Sequence, residues 1–335
     1  MAEVSITAAK KEGVEPHIPV LDGIRAISII AVLATHLMPI YAFGKHLNAS
    51  VGMFGMSLFF ILSGFLVTAQ GLKLPSAGAF AKRRLLRIVP AAWLCILVTT
   101  IFSENINGQA AVRYLLFVAN MPPQMLPAPL DHFWSLCVEL HFYLIAAILL
   151  LFRSVKIWMA LPLMLVAATI QRIYFHVDGT SLTLYRIDDI LAGATLAMIL
   201  HFKPKLVDCR QATADVLFFV SLILLLLGSL HEPYVGENWL SYMRPYSAGL
   251  TAYILITKPN KYIETFLSHR YLKYIATISY ALYIWHLPLA ATWLGSGDIF
   301  EKYAKRPLLL LVLFLVAHCS TFYFEKLFNP KRKLT

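Results

Sequence analysis

Charged side chains are scarce in this sequence: 14% of its 335 residues are Asp, Glu, Lys or Arg, against about 25% in an average soluble domain. Hydrophobic residues make up 59%, which leaves too little polar surface to clothe a water-soluble globule of this length. Cysteine is also scarce. Cys95, Cys137, Cys209 and Cys319 stand singly, without the paired spacing that marks zinc or redox sites, so free thiols are expected, with no disulfide framework and no metal centre. A P-loop, H-E-x-x-H, G-x-S-x-G and G-x-G-x-x-G are all missing, so nucleotide hydrolysis, zinc proteolysis, hydrolase chemistry and dinucleotide binding lack their usual signatures. His17 and Asp22 have the H-x4-D spacing of some soluble glycerolipid acyltransferases, but Pro19 lies between them and the segment leads straight into an apolar run. Residues 1–19 carry Lys10, Lys11 and three glutamates, too polar for a signal peptide, and the apolar run that follows lacks a small-residue cleavage pattern. It reads as an uncleaved first span.

Apolar windows near the roughly 20 residues that a bilayer crossing requires recur along the whole chain. Ten candidate spans emerge, at about 20–43, 52–71, 88–103, 133–152, 157–172, 182–201, 214–230, 241–257, 274–294 and 307–324. None shows the short alternation of a membrane barrel, so all are expected to be helices. The fold class is therefore all-α: a polytopic transmembrane helical bundle spanning residues 20–325, with cytoplasmic tails at 1–19 and 326–335. The net charge of +11 does not point to nucleic acid, because the basic residues sit in short segments between spans. With the N-terminus inside, twenty Lys and Arg residues fall on the cytoplasmic side and six outside, while Arg25, Arg186 and Arg244 lie within spans. That bias favours cytoplasmic location of both termini. No internal repeat is visible, which counts mildly against a transporter built on inverted repeats.

Ionisable groups inside a bilayer cost roughly 2.5–3.5 kcal/mol each on insertion scales and usually face a cavity or a partner. Arg25 and His36 are eleven residues apart in the first span, so they share one helix face about 16 Å apart along the axis. This places a cation near the cytoplasmic mouth and an imidazole in the outer half. Bland alternatives are an arginine that reaches the headgroups and a packed histidine. Glu139, in the fourth span behind Trp134 and Ser135, is expected at the depth of His36, where it would orient the ring and raise its basicity or form a purely structural pair. Arg186 and Arg244 fall in the outer third, lining the same cavity or decorating the interface. His286, beside Pro288 and three residues after Tyr283, is expected to be a packing residue, a second base or a proton relay. The cluster Lys82, Arg83, Arg84 and Arg87 at a cytoplasmic helix start suits the phosphates of coenzyme A or anionic lipid.

Five blocks then resemble the acyltransferase-3 family in order and spacing: Leu21-Asp22-Gly23-Ile24-Arg25 with His36; Phe59-Phe60-Ile61-Leu62-Ser63-Gly64-Phe65; Arg83-Arg84-Leu85-Leu86-Arg87-Ile88-Val89-Pro90; Phe133-Trp134-Ser135-Leu136 with Glu139; and Ser279-Tyr280 with Tyr283 and His286. The similarity runs from about residue 18 to 328. It implies a bacterial-type inner-membrane O-acyltransferase acting on surface or exported glycans, nodulation factors, peptidoglycan or macrolide sugars. By the same resemblance His36 is the essential histidine, paired with Arg25. Arg83, Arg84 and Arg87 form the cytoplasmic arginine element, and Trp134, Ser135 and Glu139 the tryptophan-serine-leucine motif with its glutamate. Many members carry an additional soluble acyl-transfer domain. None is visible here, so acceptor delivery is expected to fall to the bundle or to a separate partner.

The resulting expectation is an enzyme with no permanently bound cofactor that takes acetyl-CoA or another short acyl-CoA as donor. Arg25, Arg83, Arg84 and Arg87 bind the donor, and its pantetheine arm threads a continuous passage to His36. His36 acts as general base or carries the acyl group, and Glu139 holds its ring. Trp134, Ser135, Arg186, Arg244, Tyr283 and His286 are the substrate or oxyanion candidates. Expected partners are the acyl-CoA, a glycan or lipid-linked sugar, membrane lipid, and glycan-assembly proteins or a second copy of the chain. The competing reading is a transporter or flippase for a lipid-linked glycan that uses the same buried charges.

Overall fold

The computed structural model describes residues 18–38, 45–177, 180–203, 209–230 and 239–328. The sequence-predicted tails therefore lie largely outside the described residues, as does His17 of the H-x4-D pattern. Among the described residues every regular element is a helix.

The first helix, α1 (Pro19–Leu37), starts with proline at its first position, where a missing N–H costs nothing, and ends at Met38, which is extended (φ −98°, ψ 157°). Met38 precedes Pro39, and the clash with the proline ring disfavours helical backbone there. The helix thus stops six residues short of the expected boundary at 43. This makes His36 the penultimate residue of the helix rather than a group in the outer half with about two further turns beyond it.

Next come α2 (Lys45–Gly71) and α3 (Ala77–Phe102), the latter capped by Ser76, whose hydroxyl accepts from the Ala79 N–H. After the short α4 (Gly108–Leu115), a 3-10 turn (Asp131–Phe133) leads into α5 (Trp134–Leu151). Then follow α6 (Ala160–Tyr174), the single turn α7 (Thr183–Arg186) and α8 (Asp188–Phe202). The chain continues through α9 (Gln211–Ser229), α10 (Arg244–Thr257), α11 (Lys261–Leu267) and α12 (Arg270–Ala290). It closes with α13 (Ile299–Ala304), α14 (Arg306–Cys319) and α15 (Glu325–Phe328).

Seven of the expected spans form helices long and apolar enough to cross a membrane: Pro19–Leu37, Leu47–Gly71, Ala77–Phe102, Asp131–Leu151, Val155–Tyr174, Gln211–Ser229 and Arg306–Phe328. The remaining three runs, 182–201, 241–257 and 274–294, also become helices. The first is broken at Ile187, α10 has only 14 residues, and α12 carries an internal proline and a more polar sequence. The outer belt exposes Leu97, Ile101, Leu163, Ile170, Val216, Phe219, Leu311 and Leu315, as expected where lipid rather than water is the solvent. The chain is a multi-pass, all-α membrane protein.

The centre of the bundle is α2, which packs against α1, α5, α8, α9 and α10. Its closest approach is to α8, through two glycines. A Cβ on Gly64 would lie 1.9 Å from the Ile190 carbonyl oxygen, and one on Gly193 would lie 2.0 Å from that of Ile61. Small residues at such a crossing let two backbones touch, the usual device of helix pairs in membranes. Behind this contact sits a buried ion network. Arg186 Nη1 lies 3.2 Å and Arg244 Nε 3.6 Å from Asp189 Oδ2, Ser57 Oγ donates to the same oxygen at 3.0 Å, and Arg172 pairs with Asp188.

Candidate functional site

Two cavities open at opposite ends of α1. The one toward its N-terminal end is a cleft of about 50 Å³ whose lining includes Arg25, Arg84, Arg87, Glu139, Phe59 and Tyr143. Three of the four expected donor-binding arginines therefore converge. Arg83 is not among the lining residues and lies on the exposed side of α3, about 100° around the helix from the buried Arg84, with Arg87 between them. Arg84 is buried and already occupied: its Nη2 donates to the Leu66 carbonyl at 3.1 Å and to Gln70 Oε1 at 2.8 Å, and its guanidinium lies over the Tyr143 ring.

Glu139 belongs to this cleft. Its Oε1 accepts from Ser63 Oγ at 2.5 Å and from Tyr143 OH at 2.6 Å. The hydrogen-bonded pair expected between Glu139 and His36 is not formed. The reason is the early end of α1: His36 sits at the level of the turn that precedes α5, whereas Glu139 is about one and a half helical turns farther along.

The second cavity, of about 470 Å³, is lined by His36, Asp131, His132, Trp134, Met53 and Tyr283 among others. The His36 Nδ1 lies 3.0 Å from the Val32 carbonyl oxygen and 3.1 Å from His286 Nε2. A carbonyl only accepts, so Nδ1 carries the proton of a neutral ring and shares it between the two. The same logic applies to His286, whose Nδ1 donates to the Tyr283 carbonyl at 2.5 Å, which leaves its Nε2 as the acceptor for His36. The His36 Nε2 is then the unprotonated nitrogen of a ring that lines the cavity. His286, fully buried, is thus the group that orients the His36 ring, the part sequence reasoning had given to Glu139.

The carboxylate that shares the cavity with His36 is Asp131, within electrostatic reach of the ring. Neither Asp131 nor His132 was singled out in the sequence. A helical signal for His132 was present, since 132, 135 and 139 fall at i, i+3 and i+7 on one face. The His132 ring packs 4.7 Å from that of His286 and 5.2 Å from that of Tyr283. Its Nε2 donates to the Ile284 carbonyl at 3.3 Å.

The other candidates divide. Trp134 lines the cavity. The Ser135 and Tyr283 hydroxyls hydrogen-bond at 2.5 Å, and Tyr283 OH donates to the His132 carbonyl, so Ser135 is the donor to Tyr283. Arg186 and Arg244 are buried one layer back from the cavity. The guanidinium of Arg186 lies 5.7 Å from the Trp134 ring centre and 5.9 Å from that of Phe60. They brace the cavity wall and do not line it.

Between the two cavities the Phe59 ring, on the arginine side, stacks on Tyr283, on the histidine side, at 6.1 Å and 12°. The continuous passage expected from the sequence is instead a pair of chambers with this aromatic pair between them.

The whole arrangement falls within the match to known families. The sequence matches the acyltransferase-3 family, described as an acyltransferase domain, over residues 18–326. The chain belongs to this family. Similar proteins include a peptidoglycan O-acetyltransferase of Listeria monocytogenes, 28% identical over 95% of this chain and 56% of its own length. A putative peptidoglycan O-acetyltransferase of Bacillus subtilis is 26% identical over 82% of this chain and 48% of its length. A putative O-acetyltransferase of Staphylococcus aureus is 29% identical over 81% of this chain and 50% of its length. The chain spans about half the length of these relatives. No solved structure matches it.

Proposed function

We propose that this acyltransferase-3 protein is an integral membrane O-acetyltransferase that moves an acetyl or other short acyl group from acyl-CoA to a hydroxyl of a surface or exported glycan. The observation that carries the reading is His36. Its Nδ1 is held by a backbone carbonyl and by His286, which leaves Nε2 as the unprotonated nitrogen of a ring lining a ligand-sized cavity, while Arg25, Arg84 and Arg87 gather at the other end of the same helix. In this reading the bundle crosses a bacterial inner membrane ten times with both termini cytoplasmic. The arginine cleft takes the phosphates of the donor from the cytoplasm, and the histidine cavity takes the acceptor from the outer face. The relatives' names suggest peptidoglycan as the kind of glycan.

The chemistry assigned to His36 is acyl transfer from a thioester. Its Nε2 takes the proton of the acceptor hydroxyl as that oxygen attacks the thioester carbonyl. The C–S bond breaks, and the imidazolium returns the proton to the leaving thiolate. In the covalent variant the same nitrogen first displaces the thiolate and carries the acyl group to the acceptor. Asp131 is the carboxylate that lines the cavity beside His36, and His286 holds the opposite side of the His36 ring. For the thioester to reach His36, Phe59 and Tyr283 must separate, since the arginine cleft in this closed arrangement has only about 50 Å³.

The test uses purified protein, radiolabelled acetyl-CoA and soluble glycan fragments, scored for label on glycan, on protein and released as acetate. Transfer that vanishes in His36→Ala supports the reading, and label retained on the wild-type protein without acceptor selects the covalent route. A His36→Ala strain in which the glycan itself no longer reaches the surface favours transport instead.

A further inference from the structure

A third cavity, of about 500 Å³, lies beside the histidine cavity, and its lining includes Thr99, Glu104, Asn105, Pro129, Trp285 and Thr292. It lies within the roughly 300–1,000 Å³ of small-molecule sites and plays no part in the chemistry described above. Its place in the bundle follows from hydrogen bonds. Tyr280 OH donates to the Ile88 carbonyl at 2.6 Å and Cys95 Sγ to the Ile284 carbonyl at 3.2 Å, so successive contacts advance together along α3 and α12. The two helices run parallel, and α12 meets the C-terminal end of α1 through His286 and His36. The third cavity therefore opens at the same end of the bundle as the His36 cavity.

The two cavities share a wall. In the segment 126–132, Leu126, Asp131 and His132 face the His36 cavity while Ala128 and Pro129 face the third. On α12, Tyr283 lines the former and Trp285 and Pro288 the latter. The wall is tied together at one point, the Ile284 carbonyl, which accepts from both His132 Nε2 and Cys95 Sγ.

We propose that the third cavity is a saccharide subsite that holds a sugar unit of the acceptor farther along the polymer than the one positioned at His36. This rests on the glycan reading of the proposed function. Indole and proline rings offer flat apolar surfaces for the C–H face of a pyranose, with the polar tip of the indole suited to a partly wet site. Glu104 and Asn105, just beyond the last turn of α3 at Phe102, put a carboxylate and an amide at the mouth, where they accept from and donate to ring hydroxyls. Both are exposed. The same carboxylate argues against the headgroup of an anionic lipid, which like-charge repulsion would push away. A polymer acceptor has to continue beyond the sugar that reacts, and since both cavities open at the same end of the bundle its chain can cross the rim of the shared wall from one to the other.

The experiment compares a soluble tetramer of β-linked N-acetylglucosamine with the monomer as acceptors for the full chain in lipid nanodiscs. It also measures binding of the tetramer to the same protein by saturation-transfer NMR without donor. The tetramer is expected to have the lower KM, by about tenfold for one well-made aromatic contact. In Trp285→Ala and Glu104→Gln that advantage should shrink to within about twofold, with the NMR signal lost in step, whereas Trp285→Phe keeps most of both. Equal KM values for tetramer and monomer in the wild type, or an advantage untouched in Trp285→Ala, would overturn the subsite. So would co-purified lipid displaced from the wild type and absent from that variant. If no saccharide accepts label under any condition while tetramer binding still depends on Trp285, the transferase reading fails and the binding site stands.

Discussion

Replacing His286 with Ala removes the acceptor of the His36 Nδ1 hydrogen bond without touching the nitrogen proposed to react. The 3.1 Å contact to His36 Nδ1 is lost, while the 3.0 Å contact to the Val32 carbonyl persists, so the correct tautomer survives and only one of two restraints on the ring disappears. A neutral hydrogen bond contributes about 0.5–1.5 kcal/mol net, which corresponds to a loss of about 2- to 12-fold in kcat at about 1.4 kcal/mol per decade. Gln at 286 places a carbonyl oxygen near the old Nε2 position and should recover most of that loss. Removing the proposed base itself, in His36→Ala, should cost about 10²- to 10⁴-fold. The assay is single-turnover transfer of labelled acetyl to glycan fragments, read beside the thermal midpoint of each variant in detergent, because His286 is fully buried and its truncation leaves a void. If His286→Ala were as inactive as His36→Ala while still folded, and Gln failed to rescue it, His286 would be the reacting group and the tautomer argument would be wrong.

Other outcomes follow from the same geometry. Gly64→Ala should destabilise the bundle by about 1–3 kcal/mol or more through overpacking, seen as a lower melting midpoint, since its Cβ meets the Ile190 carbonyl at 1.9 Å. Asp189→Asn leaves Arg186 and Arg244 without the carboxylate they share and should cost about 3–5 kcal/mol, whereas an exposed charge such as Lys82 changed to Gln should stay within about 0.5 kcal/mol. Phe59→Ala removes half of the aromatic partition and should raise acetate release without acceptor relative to productive transfer; an unchanged ratio would remove Phe59 from the donor's path.

How much of this was legible in the sequence depended on how local each feature is. Helix identity was readable because roughly 20 apolar residues in a bilayer have few alternatives to a helix. The convergence of Arg25, Arg84 and Arg87 was readable because it needs only helix periodicity and the alternation of sides. The partner of His36 was not. It depends on where α1 stops, and the restriction that Pro39 places on Met38 outweighs the apolar run that continues to residue 43. The six-residue difference at that end places the imidazole at the level of His132 and His286 instead of Glu139. The buried positions of Arg186 and Arg244 were equally hidden, because both pair with Asp189, which is buried at the start of α8 just after the break at Ile187.

The central claim is that donor and acceptor meet at His36 from opposite ends of the bundle, and sidedness tests it most directly. Proteoliposomes with the protein in one orientation would be given membrane-impermeant acetyl-CoA and a soluble glycan acceptor either on the same side or on opposite sides. Acetylated glycan should appear only when the donor is on the arginine side and the acceptor on the histidine side. Equal transfer with both reagents on one face would contradict the account.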